Sequence, residues 1–315
     1  MNEAHWADRL YGALRAGPRL FAGGWGRVEE EAEKLRGLLA SGPVPLEVAL
    51  GPVQRLGGCT LRHGTFHAPD PALPREVRAG AFELLLPAED APVCLHLAAT
   101  GEVGSGRRRR IALPLAARGI GALILENPWY GPRRPAGQEG CDLGTVAEQL
   151  AMNGATIAEA LSLLAWLRAR GHRKLGVTGY SMGGSMAAYV GALSPGPLAI
   201  VPGAAGISPA PIFTEGLLSR QIAWDALGPA ARDRLHALLD SIALQHLGPP
   251  APGSAAILVA AARDGYVDRA TVERLHAHWP GSELRWLAGE GHVTALVLRA
   301  SRIGAAIRDA FAALS

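Results

Sequence analysis

Lysine is almost missing from this chain. Lys34 and Lys174 are the only two in 315 residues, and arginine supplies the rest of the 31 basic side chains. Against 28 acidic residues the formal net charge is just +3. In a chain so rich in alanine, glycine, proline and arginine this balance reads as codon bias. A sequence pI near 9.0 is then weak support for a nucleic-acid partner, and none is expected. Aromatic residues are 5% of the chain, so its core is mostly aliphatic. Cysteine is scarce: Cys59, Cys94 and Cys141 are odd in number and far apart. That excludes a disulfide framework and a metal-ligand spacing, and a reducing compartment, the cytoplasm, is the default. The first residues, with Glu3, Asp8 and Arg9, lack the apolar stretch of a secretory signal. Charge is absent from Leu175 to Thr214, long enough to suggest a membrane span. Five prolines, at 195, 197, 202, 209 and 211, break it. Buried parallel strands explain the run better, so no stable span is expected, although peripheral lipid contact stays open. Oligomeric state leaves no mark on the sequence.

What is present is an ample globular composition, 49% hydrophobic and 19% charged, enough for one large domain with insertions. Residues 1–42 read as peripheral helices over Ala7–Leu14 and Val28–Leu39. Residues 44–86 read as strands, the clearest at Leu46–Leu50 and Val77–Leu86. From residue 92 the rhythm becomes strand–helix alternation, the mark of a parallel sheet. Strands are expected at Val93–Ala98, Gly121–Leu125, Leu175–Thr178, Leu198–Val201, Ala256–Ala261 and Glu283–Leu287. Helices are expected at Ile111–Arg118, Val146–Ala169, Gly184–Ala192, 271–278 and from about Val293. Residues 206–253 break the rhythm with two expected helices, Glu215–Leu227 and Ala230–Leu247, placed as a cap over the sheet. The expected division is a 1–75 extension, a core of 76–205 and 254–315, and a cap of 206–253.

The chemistry gathers at Gly179-Tyr180-Ser181-Met182-Gly183, between a short apolar strand and a run of small residues. Strand, sharp turn, helix is the context of a nucleophile elbow. A serine hydroxyl needs a base to take its proton, and the base needs an orienting carboxylate. In this architecture the chain order is serine, acid, histidine. Asp264 follows the penultimate strand and His292 the last one, both at the edge where Ser181 stands. Asp264 also suits an Asp-Gly turn, and His292, between glycines, suits a surface turn. Asp268 is the rival acid, better placed to cap the helix near Thr271. His96, inside a strand leading to the site, is the other histidine to follow. The backbone N–H of Met182 and of Thr100 are the expected oxyanion donors, each typically worth about 2.7–4 kcal/mol.

Arg107 to Arg110 is an oddity. Four cations ahead of a helix oppose its macrodipole, and such a local conflict is tolerated where function asks for it. With Arg133 and Arg134 on the neighbouring loop, they suggest binding of an anionic substrate group, Arg108 and Arg109 above all.

The chain also carries Gly24-Trp25-Gly26, His96-Leu97-Ala98 with Thr100-Gly101, Arg108-Arg109-Arg110, Glu126-Asn127-Pro128 with Tyr130-Gly131, Gln138, Ser181-Met182-Gly183-Gly184 with Met186-Ala187, and Phe213-Thr214 with Gly216, Leu218-Ser219 and Trp224. On these motifs it resembles the alpha/beta-hydrolase domain-containing protein 18 family. The resemblance implies an alpha/beta-hydrolase fold, α/β with a mostly parallel sheet, helices on both faces and a helical cap. By position it implies a nucleophile at Ser181, an acid at Asp264 and a base at His292. Tyr130 joins Arg108 and Arg109 as a candidate substrate-binding residue. Eukaryotic members linked to phospholipid deacylation add an anionic lipid as one substrate class. The expected activity is therefore a serine hydrolase of acyl esters, carboxylesterase- or lipase-like, with a small-molecule acyl substrate and neither metal nor organic cofactor. An acyltransferase with the same triad, and a non-catalytic binding protein on this scaffold, are the alternatives.

Overall fold

The computed structural model describes residues 4–15 and 19–315; Glu3 lies outside them. Two helices come first, α1 (Trp6–Leu14) and α2 (Val28–Leu39). Strands β1 (Val48–Leu50), β2 (Gln54–Leu56) and β3 (Cys59–His67) follow. The run expected as one strand from Val77 splits into a helical turn after Pro74, α3 (Arg75–Arg78), and β4 (Ala79–Leu86). Alternation then sets in: β5 (Val93–Leu97), α4 (Gly106–Ala116), β6 (Gly121–Leu125), α5 (Val146–Ala169), β7 (Leu175–Tyr180), α6 (Met182–Leu193) and β8 (Ala199–Gly203). The cap is more broken than its apolar spacing suggests. Its helical pieces include α7 (Ala210–Thr214), α8 (Trp224–Leu227) and α9 (Ala231–Asp240). Strand β9 (Ala255–Ala261), α10 (Arg269–His278), β10 (Glu283–Leu287), α11 (His292–Leu298) and α12 (Ala300–Ala313) complete the chain.

The strands form one ten-stranded sheet in the order β1-β3-β4-β6-β5-β7-β8-β9-β10, with β2 on β3. From β6 to β10 every neighbour is parallel. The earlier strands join antiparallel through β4 and β6. Strands β3 and β4 pair from Thr60–Leu86 to His67–Ala79, so the expected boundary at residue 75 cuts through a single sheet. Every residue of β5, β6 and β8 is buried, as strands covered on both faces must be. Helices α4 and α12 pack on each other, as do α5 with α2 and α6.

Helix α5 is long and apolar enough to cross a membrane, but 67% of that stretch is buried in the protein; it is a core helix. Thr145 and Glu148 cap it reciprocally, at 3.1 and 2.9 Å. Within it Glu159, wholly buried, grips Arg133 with 2.5 and 2.8 Å contacts. Arg133 also donates to the Glu126 carbonyl at 2.8 Å, fixing the loop after β6. Removing one partner of such a pair leaves a bare buried charge. Glu159→Ala is expected to cost about 3–5 kcal/mol, read from a urea unfolding midpoint; a cost below about 1 kcal/mol would contradict this account of the loop.

Candidate active site

Ser181 joins β7 to α6 at φ 57° and ψ −121°, a conformation that costs a non-glycine residue roughly 1–3 kcal/mol. Its N–H donates to the Gly203 carbonyl at 2.9 Å, and its own carbonyl accepts from Ser185 at 2.9 Å. The bend is possible only without side chains around it. A Cβ on Gly179 would lie 2.3 Å from the Gly183 backbone, the clash expected of this motif. A Cβ on Gly183 would meet the Leu97 and Ala98 carbonyls at 2.6 Å, and one on Gly184 the Gly203 carbonyl at 2.0 Å. These two glycines therefore seat α6 on the ends of β5 and β8.

Asp264 leaves β9 and His292 opens α11. Asp264 Oδ2 and His292 Nδ1 are 2.7 Å apart. The other carboxylate oxygen accepts from the Tyr266 and Val267 N–H groups at 2.8 and 2.9 Å, so the Asp-Gly turn and the histidine contact are served by one side chain. Asp268 precedes α10 but makes no side-chain cap bond. Tyr180, inside the elbow motif, donates its hydroxyl to the His292 carbonyl at 2.9 Å. That tie between elbow and histidine loop has no signature in the sequence. Burial pushes the His292 pKa down most strongly, but Asp264, by charge and hydrogen bond, and Asp8 outweigh it, and the pKa is raised above the ordinary 6.5. Protonated His292 therefore favours the folded state. That contribution is full below the ordinary histidine value and is lost as pH rises through the raised one.

Ser181 and His292 line one cavity of about 200 Å³. No hydrogen bond joins Ser181 Oγ to the imidazole in this resting structure; such contacts tighten when substrate fills a site. Thr100, Met182 and Tyr130 line the same cavity. The Met182 N–H belongs to the first turn of α6 and has no intrahelical partner. The neighbouring Ala99 N–H is already bound by Glu102 Oε2 at 3.2 Å. Tyr130 is 1% exposed, its hydroxyl 3.8 Å from the Met182 sulfur, and burial raises its pKa. Positive φ at Trp129 (65°) and Gly131 (53°) turns the loop that presents it. A larger groove of about 470 Å³, on which Asp264 also borders, contains neither Ser181 nor His292.

The arginine run departs from expectation. Helix α4 begins at Gly106, so the run lies inside its first turns. Arg108 is 4% exposed. It donates to Glu102 at 3.1 Å, to the His96 carbonyl at 3.2 Å, to the Gly104 carbonyl at 2.8 Å and to the Leu125 carbonyl. It thus ties the ends of β5 and β6 to the Thr100 loop, with four of its five N–H donors committed inside the protein. Arg109 forks onto Glu83 of β4 at 2.7 Å twice. Neither lines the cavity, which corrects their assignment as anion binders; Arg107 does line it. Arg133, buried on Glu159, is likewise structural. His96 stays beneath the site. Its ring is buried and its pKa pushed down to about 3 by burial, then by Arg108.

The cap supplies an apolar wall with Ile212, Phe213 and Leu218. Tyr11 and Arg15, on and just past α1, also line the cavity, so the first helix is part of the site rather than peripheral. Behind it lies Asp8, fully buried. Among the described residues no group of three or more His, Cys, Asp or Glu could hold a metal.

In overall fold the chain is similar to an acetyl xylan esterase from Paenibacillus sp., with a TM-score of 0.63 and 15% identity over 91% of this chain and 96% of that one. An acetyl xylan esterase 1 from Thermoanaerobacterium sp. aligns with a TM-score of 0.60 and 12% identity, covering 90% and 94% of the two chains. An S-formylglutathione hydrolase from Agrobacterium tumefaciens gives 0.56 and 14%, covering 84% and 99%. These likenesses establish the alpha/beta-hydrolase fold. Residues 18–234 and 229–313 match the family described as alpha/beta hydrolase domain containing 18, and the chain belongs to that family.

Proposed function

We propose that this protein is a serine hydrolase that cleaves esters of small acyl groups through a covalent acyl-enzyme. The observation that carries the reading is the 2.7 Å contact of His292 Nδ1 with Asp264 beside a cavity that His292 shares with Ser181. Ser181 Oγ attacks the carbonyl carbon while His292 Nε2 takes its proton. The Met182 and Thr100 N–H groups receive the oxyanion. The intermediate collapses with transfer of that proton to the departing alkoxide, and the alcohol leaves. Water, deprotonated by His292, then attacks the acyl-serine, and the acid is released as Ser181 recovers its proton. Asp264 holds the imidazole with Nδ1 protonated and stabilises the imidazolium.

The cavity, about 200 Å³, is smaller than the roughly 300–1,000 Å³ of sites for drug-sized ligands, which supports a short acyl chain. Arg107 at its wall supports acceptance of a substrate with an anionic group.

Two expectations test this together. In a series of aryl esters from acetyl to octanoyl, kcat/KM is expected to be highest at the short end and to fall as the chain outgrows the cavity. Because the base must be neutral and its pKa is raised, the acidic limb of kcat/KM is expected above the ordinary histidine value of 6.5. Preference for octanoyl, or a rate flat through that limb, would contradict the reading.

A further inference from the structure

Helix α1 faces the wrong way for an amphipathic helix. Its apolar Trp6, Leu10 and Leu14 are 67%, 48% and 70% exposed, while Asp8 is 0% exposed. A buried carboxylate is costly unless its oxygens are well supplied with donors, and here they are. Oδ1 accepts from the Val293 N–H at 2.9 Å. Oδ2 accepts from the His292 N–H at 2.8 Å and the Gly265 N–H at 3.0 Å. His292 and Val293 open α11, and the residue before them, Gly291, has no side chain to cap the helix. Asp8 caps it from another element, 284 positions away in sequence. Gly265 is the neighbour of Asp264. One carboxylate therefore holds both the loop that carries the imidazole and the loop that carries its acid. Gly291 makes room: a Cβ there would lie 2.4 Å from His5 Cβ and 2.8 Å from both Asp8 oxygens. The His5 N–H in turn donates to the Arg263 carbonyl at 3.0 Å, pinning the start of α1 to the acid loop.

We propose that Asp8 is a positioning residue for His292: it keeps the two loops in mutual register and places a second negative charge behind the ring. The inference rests on the reading of Ser181, Asp264 and His292 as the reacting machinery. The ring is faced by Asp264 from the loop after β9, by Tyr266 from the same loop with ring centres 4.9 Å apart, and by Tyr180 from β7 at 5.2 Å. On its own loop Glu290 is paired with Arg299. From the α1 side come Asp8, His5 beside Gly291, and Tyr11 and Arg15 on the cavity wall. Of these, Asp264 and Asp8 are the charges that favour the imidazolium.

Asp8→Asn removes the charge and keeps the shape. Gly291→Ala keeps the charge and displaces the carboxylate. In Asp8→Asn, kcat on the preferred ester is expected to fall about 10- to 100-fold through misplacement of the base, with KM little changed. The His292 ring, followed by NMR in the absence of substrate, is expected to titrate at lower pH than in the wild type. A merely structural role lowers the melting temperature without moving that titration. Wild-type kcat together with a wild-type His292 titration in Asp8→Asn overturns the proposal. Should that variant not fold, Gly291→Ala, at an ordinary φ of −96°, carries the test, and unchanged kcat there overturns it. A wild type that turns over no ester overturns the hydrolase reading instead, while the NMR titration still decides the coupling of Asp8 to His292.

Discussion

Asp264→Asn is expected to lower kcat by about 10⁴-fold while the protein stays folded. The argument lies in which atom carries the proton. In the native site Asp264 Oδ2 faces His292 Nδ1 at 2.7 Å, and a carboxylate only accepts, so Nδ1 is the protonated nitrogen. That leaves Nε2 unprotonated, as the proposed transfer of the serine proton requires. The amide introduced by the substitution can keep its oxygen on the Tyr266 and Val267 N–H groups, as Asp264 Oδ1 does at 2.8 and 2.9 Å. Its nitrogen then faces the histidine and donates. The imidazole must answer with the other tautomer, whose Nε2 carries a hydrogen and accepts nothing from Ser181. The fold barely notices, and the base is disabled. Single-turnover rates beside a thermal melt check this; a loss below tenfold would mean that His292 does not depend on Asp264.

Ser181→Ala is expected to lower turnover by roughly 10³-fold or more. The backbone strain at φ 57° is the same for alanine as for serine, and the hydroxyl makes no hydrogen bond that the fold requires. Stability should therefore change by less than about 0.5 kcal/mol. What goes is the covalent intermediate. The oxyanion donors and the cavity survive, so a residual rate above that in water is expected, but no rapid release of the first product. Near-normal hydrolysis in this variant would remove the covalent mechanism.

The parallel part of the sheet was readable because its strands are short apolar runs bounded by turn residues. The elbow and the two later loops followed from chain order at its carboxyl edge. The arginine run was misread for a nameable reason. Its counter-charges, Glu83, Glu102 and Glu126, come from three separate elements, and only the folded chain brings them to Arg108 and Arg109. Helix α1, read as peripheral, instead borders the site through Tyr11. Its Trp6, Leu10 and Leu14 stay exposed while Asp8 is buried, because the open N-terminus of α11 offers donors that no local pattern announces. The cap suffered from its apolar spacing, which outlasts the helices themselves: Gly228, at φ 83°, ends α8, and the stretch expected as one helix from Glu215 breaks before it. The Asp-Gly turn, weighed as a rival explanation of Asp264, proved compatible with the histidine contact, since a carboxylate has two oxygens.

The most direct test of the central claim is labelling with a fluorophosphonate, followed by mass spectrometry of the modified peptide. The account predicts stoichiometric modification of Ser181 in the wild type, none in Ser181→Ala, and strongly slowed labelling in His292→Ala. Modification of another residue, or a wild-type Ser181 that stays unlabelled in folded protein, would contradict it.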